Sequence, residues 1–247
     1  MGGTDRGATR FGLRFGVPVD VWRIIVRQSL SISVSLIPIG LAFGVLCSKA
    51  GLSWVQALGF SSLVFTGGSQ FAAVGVLGDG GGVAAAVGAG LLLSVRSLVY
   101  GLVMTPALKG SFRFRAAASQ LMIDESVAVG TAQTGSQARK VGYLTGGVSV
   151  FVFWNVTTLL GAVVLGSSGQ LVEKFGLDAT IPAAFAALVW PRLKNVELRR
   201  VAVVGALIAV VLIPIAPPGI PIVVSGLAVF AGNVAGRRRW PRGARSS

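Results

Sequence analysis

Apolar residues run through this chain in long blocks separated by short basic loops. Blocks at 29–47, 83–108 and 141–166 are each long enough to cross a bilayer as a helix, which takes about 20 residues. Two more, 201–215 and 221–235, flank the uncharged Pro217-Pro218-Gly219, and a short segment, 181–190, begins with Pro182 and ends before Pro191. Two stretches break the pattern. The run 52–77 is apolar on both sides, yet its centre reads Thr66-Gly67-Gly68-Ser69-Gln70. Each glycine weakens a helix by about 1 kcal/mol relative to alanine, so the run is predicted to break at its midpoint. Inside a membrane, backbone freed from helical bonding survives only if protein buries it or it lines a watery cavity. Residues 116–134 are also fairly apolar, but contain Asp124-Glu125. The predicted fold is an all-α polytopic membrane protein, with about six full spans and one or two discontinuous or re-entrant helical segments.

Loop charges turn this pattern into a topology. Residues 1–28 carry Arg6, Arg10, Arg14, Arg23 and Arg27 and read as a basic cytoplasmic segment, its later part on the membrane surface. The permease domain follows at 29–236, then an arginine-rich tail at 237–247. If 52–77 crosses once, the loop of Lys109, Arg113 and Arg115 falls outside, against the positive-inside rule. If 52–77 turns back at Thr66–Gln70, or crosses twice, that loop is cytoplasmic. If 116–134 likewise makes no net crossing, Arg139 and Lys140 are inside as well. The loop 167–180 and the loop 216–220 then lie outside, and both chain termini are cytoplasmic. One assignment places every basic loop on one side. The strings Ile37-Pro38-Ile39 and Ile181-Pro182-Ala183 then run in opposite directions, as an inverted repeat would require.

Composition narrows the chemistry. Only 12% of the 247 residues are charged, against about 25% in soluble domains, and mean hydropathy is +0.78. The net charge of +14 sits in loops and tails, so it reads as loop bias rather than as a nucleic-acid surface. The chain has no histidine and a single cysteine, Cys47. That argues against a metal site, a haem or an iron–sulfur centre, and no cofactor is expected. No nucleophile–base pair is visible, so an enzyme is not expected.

The candidate residues are polar groups in apolar surroundings. Thr66, Gly67, Gly68, Ser69 and Gln70 offer hydroxyls, an amide and exposed backbone N–H groups to a small substrate; discontinuous helices present such groups to anions. The alternative is a glycine-lined kink with its hydroxyls bonded back to the helix. Arg96 lies mid-span, where a cation costs about 2.5–3.5 kcal/mol and needs a partner. Asp124 and Glu125 are the candidate partners, and either could gate the path or carry protons. Adjacent carboxylates point about 100° apart on a helix, so they do not share one proton. Tyr100 lies one turn after Arg96 on the same face. The small-residue pairs Gly40/Gly44, Gly142/Gly146 and Gly232/Gly236 would suit close helix packing or a partner subunit.

Four strings resemble the AzlC family of branched-chain amino acid exporters: Ile37-Pro38-Ile39-Gly40-Leu41-Ala42-Phe43-Gly44, Phe65-Thr66-Gly67-Gly68-Ser69-Gln70-Phe71, Val95-Arg96-Ser97-Leu98-Val99-Tyr100-Gly101 and Asp124-Glu125-Ser126. The resemblance covers about residues 28–236. It implies an inner-membrane permease working with a small, separately encoded AzlD-type membrane subunit. The implied activity is export of valine, leucine, isoleucine and sometimes methionine, driven by the proton motive force. The substrate's apolar side chain would lie against Phe43, Phe65 or Phe71. The chain departs from the family pattern at Ser94 and Ser97, where Asn or Asp and His are usual. Two other classes stay open: a membrane scaffold that transports nothing, and a passive channel for small solutes.

Overall fold

The computed structural model describes residues 13–166, 186 and 189–229. The chain opens with two-residue strands, β1 (Leu13–Arg14) and β2 (Val17–Pro18), paired antiparallel. Phe15 and Gly16 turn the hairpin with φ of 53° and 78°; positive φ at both positions suits the twist of a two-residue hairpin. Apart from this ladder the described elements are helical. They run α1 (Val19–Ser35), α2 (Ile37–Lys49), α3 (Trp54–Leu63), α4 (Gly67–Gly78), α5 (Val83–Ser94), α6 (Arg96–Met104), α7 (Phe112–Ser119), α8 (Asp124–Thr131) and α9 (Ser136–Leu160). A π-helical turn, Gly161–Leu165, extends α9. After it come α10 (Val196–Leu212) and α11 (Ile220–Ser225).

Two helical stretches among the described residues are long and apolar enough to cross a membrane: Val83–Met104 and Ser136–Leu165. A third is the pair α1–α2, bent by 42°. Pro38 lies in the first turn of α2, where its missing N–H removes a hydrogen bond that would continue α1. The first span expected from sequence, 29–47, therefore begins inside α1 and contains the bend. Six full spans are not reached among the described residues. The segment 167–185, with its Ile181-Pro182 string, lies outside them, as do residues 1–12 and 230–247.

Bent α1–α2 runs alongside α9. Ser33 Oγ is 2.7 Å from Ser149 Oγ, Gly40 packs on Thr157, Gly44 on Thr158 and Ala162, and Gly161 on the Leu41 backbone. The glycines at 40, 44 and 161 let these backbones touch. At one end of α9, Gln137 donates from Nε2 to the Phe15 carbonyl at 2.9 Å and Ser136 Oγ donates to Pro106 O at 3.3 Å. Lys140 Nζ lies 4.3 Å from the Phe114 ring centroid. At the other end, a Cβ on Gly78 would stand 3.4 Å from Ala50, and one on Gly81 would stand 3.1 Å from the Pro218 carbonyl. Ser48 packs on Gly166 there as well. The basic stretches at 109–115 and 139–140 thus share one end, the second lying in the first turns of α9 rather than in the expected loop, and the loops at 50–52, 79–82 and 217–219 share the opposite one.

The segment α3–α4 starts and finishes at the non-basic end, and α7–α8 starts and finishes at the basic end. Each is a broken helix whose two outer ends lie at the same end of α9. The tip of the first reaches Trp154: a Cβ on Gly67 would be 3.7 Å from its ring, and Ser62 Oγ donates to Asn155 Oδ1 at 2.8 Å. The tip of the second reaches Gly147, where a Cβ would meet Leu121 at 2.7 Å. At 1.5 Å per residue each tip lies about 16 Å from its own end of the extended α9, roughly half the thickness of a hydrocarbon core. The two hairpins enter from opposite ends and meet in the middle. Gly40/Gly44 and Gly142/Gly146 are both filled from within, the second pair by Val129, Gln133 and Ser126. They are not free for a partner subunit. Gly232/Gly236 lies outside the described residues.

Candidate functional site

The first tip is built from two helix ends. α3 stops at Leu63 and α4 begins at Gly67, with Val64, Phe65 and Thr66 between them. Phe60 O still accepts from Val64 N at 3.0 Å, but the carbonyls after it run out of helical partners, and two glutamines serve this end of α3. Gln70 Nε2 donates to Phe60 O at 3.4 Å and Ser61 O at 3.2 Å. Gln120 Nε2, from the tip of the opposing hairpin, donates to Ser62 O at 2.7 Å and Leu63 O at 3.2 Å. Gln120 is therefore the direct bond between the two hairpins. Sequence reasoning missed it. Its only signal is a primary amide in a fairly apolar stretch, and its acceptors lie far away along the chain.

The start of α4 has no side-chain cap. Thr66 Oγ1 instead donates to Ser69 Oγ at 2.8 Å, Ser69 Oγ lies 2.9 Å from Ser94 Oγ, and Ser94 Oγ donates to Gly90 O at 2.9 Å. This hydroxyl chain fastens the tip to α5. It also uses Ser94, one of the two positions where the sequence departs from the resembled pattern. A serine bonded back to its own helix loosens the ladder, and α5 gives way to α6 one residue later, at Val95.

That offset places Arg96 at the tip. Its Nη1 donates to Asp124 Oδ2 at 2.7 Å, with the two side chains 36% and 30% exposed. Its Nη2 lies 3.3 Å from the point where a Cβ on Gly68 would stand. A side chain at this position would crowd the guanidinium, which would have to give by a few tenths of an ångström. Asp124 opens α8, where the helix dipole favours a carboxylate. The pair thus selects Asp124 over Glu125, which stands next to it and is half-buried. The α4 terminus is the opposite case. Its positive dipole end lies beside a cation at Gly68, an arrangement that a nearby anion would relieve.

Three buried side-chain atoms among the described residues have no hydrogen-bond partner: Gln70 Oε1, Asp124 Oδ1 and Trp154 Nε1. All three belong to residues at this junction. Gln70 is fully buried, as is Phe43. Phe43 stacks on Trp154 at 6.0 Å and meets Phe71 edge-on at 5.1 Å; Phe65 meets Phe151 at 5.0 Å. These rings form the wall behind the tip. Tyr100 is half-buried one turn beyond Arg96, packed against the cluster of Met104, Leu108 and Tyr143. The structure brings Thr66, Gly67, Gly68, Ser69, Gln70, Arg96 and Asp124 together, with Phe43 behind them and Tyr100 to one side. Among the described residues no group of His, Cys, Asp and Glu is arranged to hold a metal.

The AzlC protein family matches residues 31–168, a stretch containing the whole junction. A membrane protein of Archaeoglobus fulgidus, described as uncharacterized, is 29% identical over 181 residues, which is 72% of this chain and 78% of its own length. The inner membrane protein YgaZ of Escherichia coli K12 is 28% identical over 225 residues, 85% of each chain. No solved structure matches.

Proposed function

This chain belongs to the AzlC family of membrane proteins, and from that premise we propose that it is a secondary transporter subunit exporting small neutral amino acids with apolar side chains, the branched-chain ones above all. It sits in the inner membrane with the basic end, and both termini, in the cytoplasm. It works with a small AzlD-type membrane subunit. The observation that carries this reading is the meeting of Arg96, Asp124 and the uncapped start of α4 at the depth where two re-entrant hairpins touch.

A zwitterionic amino acid fits the charges there. Its carboxylate takes the position between the Gly67–Gly68 N–H groups and the Arg96 guanidinium, and its ammonium goes to Asp124, whose Oδ1 has no partner. Binding then replaces the Arg96–Asp124 bond with two substrate bonds. Occupied and empty sites differ in how firmly α6 is tied to α8, which is the kind of differential contact that alternating access requires. Protons are coupled through Asp124 or Glu125, since Ser97 stands where the resembled pattern has a histidine.

A non-transporting scaffold fits less well, because two of the three glycine pairs that would serve it are used inside the chain. A passive channel differs from a transporter in one readout, the dependence of flux on a proton gradient. The test is valine efflux from cells loaded with a valine dipeptide and expressing this chain with its small partner. Faster loss of intracellular valine is expected, and an unchanged level overturns the reading.

A further inference from the structure

Besides the junction, the structure contains a cavity of about 760 Å³ along the outer half of α4, within the range of ligand pockets, about 300–1,000 Å³. Phe71, Gly75 and Asp79 of the α4 segment line it on one side, and Leu93, Ala209 and Pro221 on others. Asp79 belongs to the loop that meets Pro218 at the non-basic end of the molecule. At the inner end stand Phe71 and Leu93. Leu93 Cδ2 lies 3.4 Å from the point where a Cβ on Gly68 would stand, beside the Arg96 guanidinium. Leu93 therefore has one side on the cavity and the other on the junction. Phe71 is held edge-on against Phe43 and Trp154, at 5.1 and 6.3 Å between ring centroids.

We propose that this cavity is the outer vestibule of the transport path, and that Leu93 and Phe71 form the gate that closes it from the junction and selects for apolar side chains. The inference rests on the transport reading above. The lining is almost wholly aliphatic and aromatic, so it accommodates an isobutyl or isopropyl group without stranding a polar one. The charged ends of the substrate stay at Arg96 and Asp124 until Leu93 swings aside, and Asp79 then meets the ammonium at the mouth. With both gate residues in contact range of Gly68 and the aromatic wall, the structure is the state closed to the outside.

Gly75 provides the test. A Cβ there would meet nothing within 4 Å, so a cysteine fits without disturbing the packing. Gly75→Cys is made in a Cys47→Ser background and expressed with the small partner. A membrane-impermeant maleimide added from outside is expected to label it, saturating valine to slow the labelling several-fold, and labelling to cut valine efflux at least tenfold. In parallel, Leu93→Ala is expected to shift the leucine-to-valine efflux ratio at least threefold while valine still moves. If the unmodified chain exports no valine, the transport reading fails and the vestibule with it. If export is intact but the cysteine is not labelled from outside, or labelling leaves efflux unchanged, or Leu93→Ala leaves the ratio unchanged, the vestibule alone is overturned.

Discussion

Arg96 has two neighbours that no local pattern joins to it. A mid-span arginine next in the chain to serine demands a partner, and the acidic pair at 124–125 was the visible choice. Which carboxylate would serve was not legible, since the two point in different directions and the tertiary path of α8 decides between them. The contact with Gly68 was not legible either. The two glycines read as a helix break, whereas in the structure they open α4 and Gly68 lies beside the guanidinium. Arg96→Ala is expected to reduce valine efflux at least tenfold, about 1.4 kcal/mol, with membrane insertion unchanged. Arg96→Lys is expected to fall comparably, because an ammonium cannot hold Asp124 and a substrate carboxylate with one planar fork. Efflux per inserted protein, with insertion read by immunoblot of membranes, checks both. Gly44→Ala belongs to a different class. Its Cβ would collide with the Thr158 carbonyl and stand 2.6 Å from Ala162 N. Overpacking of that kind costs about 1–3 kcal/mol, so the expected result is a lower melting temperature in detergent. Efflux per folded molecule should stay near normal.

Among the elements, the breaks matter more than the helices. Residues 52–77 break at Val64–Thr66, just ahead of the two glycines, which with Ser69 and Gln70 form the first turn of α4 rather than the gap, and α1–α2 bends where Pro38 sits. Both were legible because glycine and proline act locally. The break at Gln120–Ile123 carries no such marker. It exists because Ser126 Oγ bonds Ile123 N at 3.2 Å and Leu121 O at 2.6 Å, and because Gln120 is drawn to α3. Gln120→Leu is expected to leave the Ser62 and Leu63 carbonyls without that donor, at a cost of about 0.5–1.5 kcal/mol. Thermal unfolding in detergent checks the loss, and faster hydrogen exchange confined to 60–68 checks its place. Exchange spread evenly over the chain would argue that Gln120 holds nothing at the tip.

For the whole molecule, the arrangement of ends follows the charges. Loop parity required 52–77 and 116–134 to make no net crossing, and the structure brings both ends of each to a common side. Parity could not separate a re-entrant hairpin from two short crossings, because both return the chain to the same face. The position of the tips along α9, a tertiary quantity absent from loop composition, is what favours the re-entrant reading. Single cysteines in a Cys47→Ser background at Gly80 and Gly110 are expected to label from opposite sides of the membrane, Gly80 from outside and Gly110 from the cytoplasm. Labelling of both from one side would break the topology.

The central claim is that an amino acid binds where Arg96, Asp124 and the start of α4 meet. Its most direct test is the valine-induced rise in melting temperature of the purified chain with its small partner, compared between wild type and Arg96→Ala. A ligand at a hundred times its dissociation constant stabilises by about 2.7 kcal/mol. The account expects a clear upward shift for wild type and none for Arg96→Ala at the same valine concentration. An equal shift in both proteins would place the binding site elsewhere and contradict it.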